Sequence, residues 1–248
     1  MKKIPPKLRL GILLFVFGFI GILSILTMEI PVSENTKLEM EKILTPFQFK
    51  LLSLMNPTIM LIILVTVGTL VYEKVNFKLP FFEKIAFKDN SKIEWQVILK
   101  FGILGGILGG TLLTIVSNIF HNYIPLELEK FKPNVLNRFF YGGITEEILM
   151  RFGIMTFLVW ILFKISKNKN SWIYWVGIII SSALFGLGHL PVVASLVSNP
   201  SIQLISYIIL GNFIGGLIFG WLYWKKGLET AMIAHIFTHL VFLTVENL

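Results

Sequence analysis

Apolar residues fall along this chain in long runs, not in the short alternating or every-third patterns of soluble domains. The runs at 10–28, 51–72, 101–120, 171–224 and 230–245 are nearly free of charge, and the longest has room for two crossings. About 20 residues at 1.5 Å rise cross about 30 Å of hydrocarbon, so the runs predict membrane helices. The period-two alternation of barrel strands is absent. Seven spans follow, at about 8–28, 51–72, 96–120, 139–164, 172–190, 201–224 and 229–246. The expected fold is an all-α, polytopic transmembrane helix bundle forming one membrane domain over 1–248. Residues 1–95 supply two spans and an interfacial segment, and 96–248 the helical core.

Three local patterns refine this picture. Pro57 in "MNPTIM" predicts a kink in the second span, a defect that neighbouring helices can tolerate. The segment 77–94, "FKLPFFEKIAFKDNSKIE", mixes Phe and Lys and is too charged to cross, so it is expected to lie amphipathically at the headgroups. Glycines recur at four-residue intervals, Gly102, Gly106 and Gly110 in one span, Gly211 with Gly215 and Gly216 with Gly220 in another. Small residues at that spacing let helix backbones approach closely.

Composition agrees with the pattern: 55% of residues are hydrophobic and 15% charged, against about 45–50% and 25% in soluble domains. The basic opening "MKKIPPKLRL" resembles a signal peptide, but the apolar run behind it is long and lacks an A-x-A-like cleavage site, so a retained signal anchor is expected. No Cys is present, which excludes disulfides and thiolate chemistry. The net charge of +8 suggests nucleic acid only until its distribution is seen, because the basic residues cluster beside apolar runs. Alternate loops hold fifteen Lys and Arg (N-terminus, 73–100, 164–170, 225–227), against six in the others (29–50, 121–138, with none in 190–200 or at the C-terminus). The positive-inside rule then puts the N-terminus in the cytoplasm, in what is expected to be the cell membrane, and the C-terminus outside.

Polar chemistry is concentrated in a few positions. Of the fourteen acidic residues only Glu146 and Glu147 lie well inside a span, and of the Lys and Arg only Arg151 does. Each charge at mid-membrane costs about 2.5–3.5 kcal/mol on insertion scales, so compensation must be local or functional. On an α-helix Glu147 and Arg151 are i and i+4 and pair in the favourable acid-first order. Glu146, about 100° around that helix, is left without a partner on it. His189 ends the fifth span, and His235 and His239 stand at i and i+4 in the seventh; His121 reads as a loop residue. Gathered in one cavity, Glu146, His189, His235 and His239 would satisfy one another and make a water-activating site. A partly desolvated carboxylate can take a proton from water and return it to a leaving amine. Imidazole donors can face the developing oxyanion.

The segments "EEILMR" (Glu146, Glu147, Arg151), "FGLGH" (Phe185, His189) and "HIFTH" (His235, His239) resemble, in order and on three separate spans, the motifs of the CPBP family. These are intramembrane CAAX-prenyl and bacteriocin-processing proteases of the ABI type, and the resemblance covers about 139–246. It implies an intramembrane endopeptidase in which Glu146 with His189 activates water, Glu147 is held by Arg151, and His235 with His239 stabilises the oxyanion. His239 stands where the family usually has Asn or Asp. The resemblance implies a peptide or lipidated protein substrate among membrane lipids, with no nucleic acid.

Two alternatives stay open at this level. Glu146, Glu147, His189, His235 and His239 also admit a zinc site with an open position for water, so the cofactor is either none or Zn. The same cavity could bind a peptide without cutting it, as an immunity or scaffold protein would. A proton-coupled transporter would need paired repeats and broken helices in both halves, and the chain shows neither.

Overall fold

The computed structural model describes residues 4–28, 38–40, 42–131 and 133–246. Lys2, Lys3, Lys37 and Lys132, which contribute to the charge asymmetry, lie outside the described residues, as does much of the stretch read for a cleavage site. Seven helices are long and apolar enough to cross a membrane: α1 Pro6–Thr27, α2 Pro46–Val75, α3 Trp95–Tyr123, α4 Asn137–Ser166, α5 Ser171–Leu196, α6 Ile202–Lys226 and α7 Leu228–Val245. No strand occurs among the described residues. The seven expected spans are thus observed, with ends shifted by a few residues.

Two spans are interrupted at proline, one in each half of the chain, where the sequence pattern shows no broken helix. In α2 the first helical piece ends at Ser53 and the next begins at Met55. Ser53 is four residues before Pro57, whose ring clashes with that carbonyl and which lacks the N–H to bond it. The expected kink is therefore a break. In α5 the first piece ends at Gly188 and restarts at Leu190, with His189 between. Pro191 follows by two residues and removes the same kind of bond, which leaves His189 on a joint between two short rods.

The most extensive pairing is α3 with α7, followed by α5 with α6. The α3 glycines explain the first. Cβ atoms built on Gly102, Gly106 and Gly110 would fall 2.6, 2.3 and 2.5 Å from Ile233, Phe237 and Val241. In α6, Gly216 meets Ser182 and Gly220 meets Ile178, which closes α6 onto α5. The α4 span is the most enclosed of the seven, gripped by α1, α2 and α7.

The segment 77–94 is not one of the spans. Its helix Pro80–Phe87 buries Phe82 and Ala86, and Phe77 and Leu79 before it are buried too. It packs on α1 and touches α7, so its apolar side meets protein. Glu229, at the start of α7, fixes it: one carboxylate oxygen accepts the backbone N–H groups of Phe81 at 2.9 Å and Phe82 at 3.2 Å. Those are donors of the helix's first turn, which have no partner inside it. Gly227, at φ 101°, makes the tight connection that lets Leu228 N–H donate to Lys78 O.

Candidate active site

The span carrying both glutamates is not α-helical where it matters. Asn137–Glu146 and Ile148–Met155 are wound as π-helix, with only Glu147 between them, and ordinary α-helix resumes at Thr156. Such i→i+5 winding is rare and concentrates at functional sites. Two threonines accompany it: Thr145 Oγ1 donates to Gly18 O (2.7 Å) and Phe140 O (3.3 Å), and Thr156 Oγ1 to Arg151 O (2.9 Å). The second and third of these are five-residue steps, matching the widened turn.

The winding changes which residues share a face. With more than four residues per turn, positions i, i+4 and i+5 fall together, so Gly142, Glu146 and Glu147 all address α7. The α-helical reading placed Glu146 away from Glu147's partners. In the structure both carboxylates approach the same imidazole: His235 Nδ1 is 2.9 Å from Glu147 Oε1, and its Nε2 is 3.9 Å from Glu146 Oε2.

Glu147 and Arg151 are completely buried. Their ion pair stands at 3.3 Å between Arg151 Nε and Glu147 Oε2, without the alignment of a hydrogen bond. The guanidinium is instead flanked by two aromatic faces, Phe185 at 5.3 Å and Phe219 at 5.9 Å. Cation–π attraction of this kind is strongest when desolvated, at about 2 kcal/mol. The expected Glu147–Arg151 pair is present, with His235 as a second partner of Glu147 that spacing along one helix could not reveal.

Tautomers follow from the partners. His189 Nδ1 lies 2.8 Å from Phe185 O, and a carbonyl can only accept, so Nδ1 carries the proton. The ring's Nε2, 3.9 Å from Glu146 Oε1, is then the nitrogen with the lone pair. His235 Nδ1 faces a carboxylate and is protonated for the same reason. Its Nε2 donates only when the ring is an imidazolium. Glu146 therefore stands between two imidazole nitrogens at 3.9 Å each, too far for direct hydrogen bonds and spaced for a bridging water.

His239 joins the group through its ring. Its ring stacks on His235 with centroids 4.9 Å apart and planes at 23°, and Phe219 stacks on the other side of His235 at 4.5 Å and 20°. Phe219, His235 and His239 form one column of three rings. A Cβ on Gly142 would lie 2.8 Å from His239 Nε2, so the imidazole occupies the space that this glycine leaves. Phe219 and Gly142 were not singled out from the sequence. Phe219 sits in a run where every residue is apolar, and Gly142 looks like one more packing glycine.

The structure brings Glu146, Glu147, His189 and His235 together, with Arg151, Phe185 and His239 around them. Side-chain exposure falls from His189 (34%) through Glu146 (18%) and His235 (6%) to none at Glu147 and Arg151. His121, read as a loop residue, lies in the short turn His121–Tyr123 that ends α3. The same five candidates also admit zinc by residue type. Among the described residues no group of three or more His, Cys, Asp or Glu is placed to hold a metal ion. Nδ1 of His189 and of His235 is engaged by protein, as in many metal-ligating imidazoles, and Nε2 of each ring faces Glu146.

Comparison with curated proteins and with solved structures gives no match. Residues 129–241 match the family model described as type II CAAX prenyl endopeptidase Rce1-like. That segment contains every residue of the three motifs, so the site-bearing part of this integral membrane protein is similar to the Rce1-like CAAX-type intramembrane endopeptidases, in accord with the CPBP resemblance, and the match indicates a protease.

Proposed function

We propose that the chain is an intramembrane endopeptidase whose water is activated without a metal, by Glu146 together with His189. The observation that carries this reading is the placement of Glu146 midway between two imidazole nitrogens, 3.9 Å from each, with direct contact to neither. A water held there by Glu146 and the lone pair of His189 Nε2 loses a proton to Glu146 as its oxygen attacks the scissile carbonyl carbon. The carbonyl oxygen becomes an oxyanion, which protonated His235 faces through Nε2 and which His239, next in the ring column, can also reach. Collapse breaks the C–N bond while Glu146 returns the proton to the departing amine. Glu147, accepting from His235 Nδ1, fixes the orientation of that ring, and Arg151 balances Glu147. The substrate is a membrane-associated polypeptide.

General-base assistance is worth about 10²–10⁴-fold. Glu146→Gln is nearly isosteric and should lower cleavage by that factor in detergent or vesicles, while the purified protein keeps its thermal transition. Wild-type cleavage by Glu146→Gln would remove the assignment. Elemental analysis of fully active protein tests the metal-free part: a stoichiometric transition metal whose removal abolishes cleavage would overturn it. A peptide binder that does not cut would retain binding in wild type with no Glu146-dependent product.

A further inference from the structure

The seven helices have two chemically different ends, and tertiary contacts establish which loops share each. At one end Lys7 pairs with Glu73 (2.5 Å), Lys74 lies over Trp160 of α4, and Tyr174 of α5 donates to Val75 O. Leu228 N–H donates there to Lys78 O. These contacts gather the N-terminus and the loops around 73–95, 164–171 and 225–229. At the other end Lys50 donates to Leu26 O and Asn134 to Thr27 O, Phe120 meets Tyr207, and the 190–196 helix packs on that of 126–130. A charge count along a chain fails if one span is missed. Here the contacts themselves sort the loops, and the asymmetry survives that sorting, with thirteen Lys and Arg against four among the described residues.

The site belongs to the Lys- and Arg-poor end. Glu146 is ten residues from the start of α4 at that end, and His189, the most exposed of the group, lies on the joint that leads into its 190–200 loop. Glu147 and Arg151, fully buried, lie deeper. Basic loops remain in the cytoplasm. Resting on the proteolytic reading above, we propose that the site opens to the non-cytoplasmic face and that its substrate is a membrane-anchored polypeptide whose scissile bond is exposed there. A C-terminal peptide presented on the cytoplasmic side would meet the basic end of the bundle, away from Glu146 and His189.

The native chain has no Cys, so single introduced thiols report without background, and they report on orientation whether or not the enzyme cuts anything. In intact cells, Ser198→Cys in the 190–200 loop should react with a membrane-impermeant maleimide, and Asn168→Cys between α4 and α5 only after permeabilisation. The reverse pattern overturns the proposal. For the substrate, new peptide termini present in wild-type cells and missing in Glu146→Gln cells should map to non-cytoplasmic juxtamembrane segments. Termini in cytoplasmic segments overturn that assignment. Finding no Glu146-dependent terminus overturns the substrate assignment together with the proteolytic reading, and the labelling result still decides the face.

Discussion

Two regions of this bundle bury carboxylates, and they treat them differently. Near the basic end Glu229 accepts two backbone N–H groups and pins the Pro80–Phe87 helix to α7. At the other end Glu147 is locked between His235 and Arg151, while its neighbour Glu146 keeps two imidazoles at 3.9 Å. A carboxylate whose partners are in contact has a structural role, because charge-assisted bonds at 2.9 Å leave little space for a substrate or a water. A carboxylate flanked by bases just beyond contact can still take up a water and its proton. The difference lies in a gap of about one ångström, and it separates scaffold from chemistry.

The contrast can be broken most severely at Arg151. Removing one partner of a buried pair costs about 3–5 kcal/mol, because the other charge is left uncompensated. Arg151→Ala should therefore lower the thermal transition of detergent-solubilised protein sharply and reduce the yield of monodisperse material, an effect that Glu146→Gln should not share. A normal transition in Arg151→Ala would show that the aromatic faces and Glu147 do not depend on the guanidinium.

A smaller effect is expected from Gly142→Ala. Its methyl would stand 2.8 Å from His239 Nε2 and must displace the ring; overpacking of this kind costs about 1–3 kcal/mol. Turnover should fall while the fold persists, and adding His239→Asn, with its shorter side chain, should restore part of it. No rescue would mean that the glycine serves the π-helical backbone and not the histidine.

Phe219 sharpens the comparison on the catalytic side. Aromatic pairing contributes about 0.5–1.5 kcal/mol beyond buried area, so losing the stack on His235 corresponds to about tenfold in rate. Phe219→Leu should show that loss in steady-state turnover, and Phe219→Tyr should retain most activity. Equal behaviour of the two variants would reduce Phe219 to filler. The smallest effect belongs to the structural carboxylate: Glu229→Ala removes a helix cap worth about 1 kcal/mol. It should shift the thermal transition modestly and leave cleavage unchanged.

Much of the site was legible because charge in hydrocarbon is conspicuous. Glu146, Glu147, Arg151 and the three histidines stand out from runs of Leu, Ile, Phe and Gly, and the cost of burying them makes each informative. Glu229 escaped the same test because it sits at a span's first turn, where a carboxylate is unremarkable. Phe219 and Gly142 escaped because an aromatic or a glycine in a membrane helix has many uses, and only its neighbour in space tells which one applies. The interfacial reading of 77–94 rightly identified an amphipathic segment that does not cross. Tertiary structure adds that its apolar face packs against α1 and α7.

The sequence by itself determined the number of spans, the bundle class, the charge asymmetry and the group of side chains that do not belong in lipid, because hydropathy and ionisation are properties of single residues. Tertiary structure decided the rest. The π-helical winding of α4 turns both glutamates toward His235, and the break at His189 directs its Nε2 at Glu146. Packing of α6 and α7 builds the ring column. Each of these depends on the distance between atoms far apart in the chain, and a difference of one ångström there changes a buried ion pair into a place for water.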